Sequence, residues 1–189
     1  MISGHTAWMR SSFPFRVVCW GPSARFAVAA LVLVWGGSAC AAQASDVVYE
    51  ARVSRVHDGD TLWVQPVDGG RHRKLRIDGI DAPEICQAGG LAARDALRQR
   101  LMDRVVTVQE RSTDRYGRPL VKLSIGQDSD VAEWLVVRGL AWSYRWRQSM
   151  GPYADQEAGA RDRRLGLFGE PQPELPGDFR KRHGPCPQH

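Results

Sequence analysis

Between residues 47 and 80 the chain alternates apolar and polar residues and is interrupted twice by glycine turns. Val47, Val48, Tyr49, Ala51, Val53 and Val56 are interleaved with Arg52, Ser54 and Arg55, the period of two that marks a half-buried strand. Asp58-Gly59 is a hairpin turn signal, after which Thr61 to Val67 resumes a strand. Asp68-Gly69-Gly70 is a second turn. Arg71 to Ile80 is then a third strand, with Leu75 and Ile77 on one face and Arg76 and Asp78 on the other. A meander of this kind needs a partner layer or a closed barrel to bury its apolar face.

The rest of the chain supplies that material. Ala93, Leu97 and Leu101 repeat at i, i+4 and predict a helix over 91–102. Val105 to Val108 and Leu120 to Ile125 read as a fourth and a fifth strand. Asp130 with Glu133 resembles a capping box and opens a helix that Gly139 ends. A last helix runs over about 153–164, and Pro171, Pro173 and Pro176 argue against regular structure beyond it. The order predicts an α+β fold: a five-stranded OB-type Greek-key β-barrel with about three helices packed on it. Other small α+β folds share this order of elements.

The first 44 residues read as a leader rather than as part of that barrel. They carry Arg10, Arg16 and Arg25 and no acidic residue, then an apolar run from Phe26 to Trp35, then Ala42-Gln43-Ala44. This is the pattern of a secretory signal peptide, and the run is too short to anchor in a bilayer. The chain therefore divides into a leader (1–44), a domain (45–169) and a Pro-rich basic tail (170–189), and is expected to be exported to the periplasm or beyond. Cys40 offers lipid attachment as the alternative. Taking the leader's three arginines from the 26 basic residues leaves 23 against 21 acidic ones, a net +2. A nucleic-acid footprint must then be a local patch. Removal of the leader also leaves only Cys86 and Cys186. In an exported chain such a pair favours a disulfide, with two unrelated thiols as the alternative.

Three short stretches hold the chemistry. Asp58-Gly59-Asp60 serves equally as a conformational turn and as two carboxylates for one hard cation. Asp81-Ala82-Pro83-Glu84 places a second pair of carboxylates around a stiffened loop. One of them can hold a cation while the other orients or deprotonates a water. Arg76, on the polar face of the third strand, reads as a solvated arginine or as a phosphate contact. Arg118 follows Tyr116-Gly117 in a basic loop, where glycine lets the backbone approach a ligand. Trp142, Tyr144 and Trp146, among Arg145 and Arg147, suit either base stacking or packing.

In this order the stretches Val56 to Thr61, Leu75 to Glu84 and Thr113 to Arg118 resemble the staphylococcal nuclease (thermonuclease) family. Gly139-Leu140-Ala141 and Arg164 to Phe168 extend the resemblance over roughly 47–169. It implies an OB-type barrel and Ca²⁺-dependent hydrolysis of DNA and/or RNA. Asp60 and Asp81 match carboxylate ligands of Ca²⁺, Ala82 matches a main-chain carbonyl ligand, and Asp58 matches an acid acting through water. Glu84 matches the residue assigned to the attacking water, and Arg76 and Arg118 match the arginines on the scissile phosphate. Arg115 and Tyr116 match residues near the nucleotide. The family pattern further implies loss of the 5′ oxygen, leaving 3′-phosphate ends. The protein is expected to be a monomer with no stable membrane insertion. Ala82 stands where threonine is frequent and Phe168 where tryptophan is. The family's later tyrosine pair is not reproduced at Trp142 to Trp146, which leaves base stacking open. A non-catalytic OB-type binding module is the competing class; its members lose the carboxylates or arginines, which this chain retains.

Overall fold

The computed structural model describes residues 47–126 and 129–187. The leader and Cys40 lie outside the described residues. The first hairpin joins β1 (Val47–Val56) to β2 (Thr61–Pro66), and β3 (Arg73–Ile77) pairs antiparallel with β2. β4 is the short segment Ile80–Asp81, and α1 (Gly90–Leu101) leads to β5 (Val105–Thr113) and β6 (Pro119–Ile125). Then follow β7 (Ser129–Asp130), α2 (Val131–Val137), β8 (Trp142–Ser143), α3 (Ala154–Asp162), a 3₁₀ turn (Gly166–Gly169) and α4 (Pro176–His183). The main sheet runs β3-β2-β1-β5-β6-β7 and closes by a parallel pairing of β3 with β6. Five long strands thus form a closed barrel with helices added, the OB-type α+β architecture. Among the described residues no helix is long and apolar enough to cross a membrane.

The apolar alternation fills the barrel. Ala51, Val53, Leu62, Val64, Leu75, Ile77, Val106, Val108, Val121 and Leu123 are all buried. The register of β1 against β2 slips between Val53 and Arg55, a bulge that keeps Val56 inside three residues after Val53. α1 buries Ala93, Leu97 and Leu101, the two leucines against this core. Asp130 caps α2, its carboxylate accepting from the amides of Ala132 (2.9 Å) and Glu133 (3.4 Å). A smaller cluster forms from Trp142, Ala160 and Phe168, with Trp142 edge-on to Phe168.

The structure corrects three expectations. The third strand does not continue to Ile80: it stops at Ile77, Asp78-Gly79 turns with Gly79 at φ 77°, and β4 leaves to pair with β8. β5 runs on to Thr113 because its polar second half still pairs with β6. The tail is not irregular, since α4 begins at Pro176. Proline lacks the N–H that a first helical residue leaves unpaired anyway, and its φ is already helical, so there it starts the helix.

Candidate active site

The β1–β2 turn and the loop after β4 are brought together by an absence of side chain. A Cβ on Gly59 would lie 2.7 Å from that of Ala82 and 2.8 Å from that of Ala93. Glycine here lets the turn seat against the Ala82 loop and α1, which sets Asp60 beside Asp81. The Asp58 carboxylate accepts the Asp60 amide at 3.0 Å and shapes the turn. Asp60, only 3 % exposed, accepts from the Thr61 hydroxyl (3.0 Å), the Ala82 amide (2.9 Å) and Arg76 Nη1 (2.7 Å). The register of β2 against β3 pairs Thr61 with Arg76. The other arm of the same guanidinium donates to Asp81 Oδ1 at 3.0 Å. One arginine therefore bridges two buried carboxylates.

Asp81 is 8 % exposed and pairs through β4 with Trp142 of β8. The amide of Ser143 in turn donates to the buried Glu157, which also receives Arg145 and Arg161. Trp142 is 1 % exposed, so it packs rather than stacks on a base. Glu84 begins a turn in which the Gln87 amide donates to its carbonyl at 2.8 Å. A Cβ on Gly90 would fall 1.9 Å from that carbonyl, so α1 starts hard against the Glu84 loop.

A cation from outside the predicted domain completes the group. Arg180, on α4, donates to Glu84 Oε1 at 2.7 Å and to Asp81 Oδ2 at 3.1 Å. Sequence reading missed it because only the run Arg180-Lys181-Arg182 was visible. Cys86 and Cys186 form a disulfide with a Cα–Cα distance of 5.7 Å, which sets α4 next to this loop.

Arg118 is organised differently. Asp114 accepts the amides of Tyr116 (2.8 Å) and Arg118 (2.9 Å) and the Arg118 Nε (2.7 Å), so one carboxylate shapes the whole loop. That role of Asp114 was also missed; its place at the start of a Gly-containing turn was the available signal. Arg115 and Arg118 lie over the ring of Tyr116, which is 68 % exposed. Among the described residues this loop makes no hydrogen bond to the carboxylates of Asp60, Asp81 or Glu84, but the charges of both Arg118 and Glu84 act on His57. Arg76, Asp58, Asp60, Asp81, Ala82 and Glu84 are thus gathered, while Arg115, Tyr116 and Arg118 form a neighbouring exposed loop.

Electrostatics mark the gathered group as short of positive charge. Burial, and then the nearby Asp60 carboxylate, push the Asp58 pKa up to about 7. Burial and Asp60 also raise Asp81, against the pull of Arg180 and Arg76. Burial disfavours the Arg76 cation, but Asp60 and Asp81 more than offset it and its pKa rises. Hard oxygen donors with surplus negative charge suit a hard divalent cation. Among the described residues no three acidic, His or Cys side chains converge on one point. An ion here would therefore take the carboxylates of Asp60 and Asp81 and fill its shell with main-chain oxygen and water. Among the described residues, two cavities of about 400 and 450 Å³ are lined by residues other than these.

Barrel, bridging arginine and paired acids together define an OB-type protein with a carboxylate–arginine site. A model of the family described as "Staphylococcal nuclease homologue" matches residues 74–170, and the chain belongs to that family. "Protein ParB" of Escherichia coli is 37 % identical over 174 residues, covering 83 % of this chain and 90 % of ParB. "Micrococcal nuclease" of Shigella flexneri is 32 % identical over 143 residues, covering 70 % and 81 %. An "Uncharacterized endonuclease" of Escherichia coli O157:H7 is 32 % identical over 131 residues, covering 69 % and 84 %.

Proposed function

We propose that this protein is an exported, Ca²⁺-dependent nuclease that hydrolyses phosphodiester bonds of DNA and/or RNA and leaves 3′-phosphate ends. The observation that carries the reading is Arg76 bridging two buried carboxylates, Asp60 and Asp81, at the start of the loop that holds Glu84. Family membership and the relatives named as nucleases support hydrolysis of nucleic acid. The leader pattern and the Cys86–Cys186 bond support export, since disulfides persist in oxidising compartments.

Asp60, Asp81 and the Ala82 carbonyl would hold the cation, with Asp58 acting through water. When bound, Ca²⁺ supplies polarisation of a phosphoryl oxygen. Glu84 takes a proton from a water whose oxygen forms the new bond to phosphorus. The bond from phosphorus to the 5′ oxygen breaks, and that oxygen takes a proton from solvent. Arg76 and Arg118 donate to the phosphoryl oxygens as charge builds on them. Arg115 and the exposed Tyr116 provide a cation and a stacking face for the adjoining nucleotide. The protein acts as a monomer.

The test incubates the purified protein with single-stranded DNA and with RNA, in Ca²⁺ or in chelator, and identifies the end groups. Cleavage in Ca²⁺ that leaves 3′-phosphates is expected. Glu84→Gln and Arg118→Ala are each expected to lower the rate about 10²-fold, the loss typical of one catalytic donor. Cleavage that persists under chelation, or a near-normal rate in either variant, refutes the assignment.

A further inference from the structure

We propose that Arg180 is a positioning residue of the active site: it holds the Glu84 carboxylate beside Asp81, and a disulfide-anchored arm delivers it. The inference rests on the nuclease reading above. It concerns a segment outside the stretch the family model matches, which ends at residue 170.

Glu84 sits in a loop, and loop placement alone does not aim a carboxylate. Among the described residues its carboxylate has one hydrogen-bonding partner, Arg180 Nη1 at 2.7 Å. The same guanidinium reaches both Asp81 oxygens, at 3.1 and 3.3 Å. A planar fork shared by two carboxylates fixes their separation and orientation together, which a lysine's point charge does not do.

The arm that carries Arg180 is docked at both ends onto the residues that follow Glu84. At its start, Gln87 Nε2 donates to the Glu174 carbonyl at 2.7 Å. At its end, Cys186 is bonded to Cys86. Between them Leu175 packs on the Trp142–Phe168 cluster and Pro176 is buried. Anchors at residues 86 and 87 make α4 and the Glu84 loop one mechanical unit. The bond joins positions 100 apart in sequence, so breaking it frees the end of the arm without cutting the barrel.

The experiment uses the full chain as wild type, Arg180→Ala, Arg180→Lys, Cys86→Ser/Cys186→Ser, and Cys86→Ser/Cys186→Ser combined with Arg180→Ala. Measured are kcat and KM on single-stranded DNA in saturating Ca²⁺, Ca²⁺ affinity by calorimetry, and amide hydrogen exchange in residues 84–87. For Arg180→Ala we expect kcat to fall about 10–100-fold, the usual cost of losing a residue that orients a functional group. KM should stay near wild type, Ca²⁺ affinity should hold or tighten, and exchange in 84–87 should quicken. Arg180→Lys should recover part of kcat. Loss of the disulfide should lower kcat in the wild-type background and add little to Arg180→Ala, the non-additivity of two changes to one device. A wild-type or raised kcat in Arg180→Ala overturns the proposal, the raised value pointing to a blocking arginine instead. So does a kcat loss matched by an equal loss of Ca²⁺ affinity. If the wild type cleaves nothing, the nuclease reading fails on its own. Unchanged exchange in 84–87 then still overturns the clamp, and quickened exchange supports it.

Discussion

Replacing Arg76 by alanine tests the electrostatics of the site without reference to catalysis. Its side chain donates to Asp60 at 2.7 Å and to Asp81 at 3.0 Å, and the three side chains are 17 %, 4 % and 12 % exposed. Solvent screens such bonds little. Breaking a buried pair by removing one partner typically costs about 3–5 kcal/mol, because the remaining charge stays desolvated. Here two carboxylates lose a partner, but Asp60 keeps the Thr61 hydroxyl and the Ala82 amide, and Asp81 keeps Arg180. The remaining bonds place the loss near the low end, about 3 kcal/mol, against a typical domain stability of about 5–15 kcal/mol. The assay is urea unfolding in chelator, followed by tryptophan fluorescence, at pH 8 and at pH 5. The deficit should be full at pH 8 and smaller at pH 5, since Asp81, whose carboxyl burial already raises, takes up a proton that relieves the unpaired charge. Arg76→Met, which keeps much of the volume, should lose nearly as much. A deficit below about 1 kcal/mol at pH 8, the range of an exposed ion pair, would refute the reasoning.

Asp58 carries a signed pH effect. Its folded pKa is raised to about 7 from an ordinary carboxylate value, so between about pH 4 and 7 the folded state binds the extra proton. Its contribution to stability therefore falls as pH rises through that window. In chelator, Asp58→Asn should flatten this decline and be the more stable protein at pH 8, as read by the urea midpoint; a steeper decline speaks against a raised pKa. Gly90→Ala must push the Glu84 carbonyl away from a Cβ only 1.9 Å distant. A displacement of about 1 Å in a catalytic group costs about 10²-fold in rate. Cleavage of single-stranded DNA by Gly90→Ala at the wild-type rate would show that the Glu84 loop gives way harmlessly.

What the sequence determined by itself was local. Asp58-Gly59, the alternation through Val53, Leu62 and Ile77, and the Asp130 cap each act within a few residues, so spacing reveals them. The strand that closes the barrel was visible as a strand, but its parallel pairing with β3 at Arg76↔Leu120 was not. Nor was the break at Asp78-Gly79, which lets Asp81 leave the sheet for β8. Tertiary structure alone decided which charges meet. Asp60 reaches Asp81 because Gly59 has no Cβ to hold the two loops apart. Arg180 reaches Glu84 across 96 positions because a buried Pro176 starts a helix and the Cys86–Cys186 bond turns it back. Contacts of that kind depend on closed loops and packed surfaces, and no window of neighbouring residues contains both partners. The carboxylates and arginines were legible as a list, and the fold made them one site by deciding their distances and their burial.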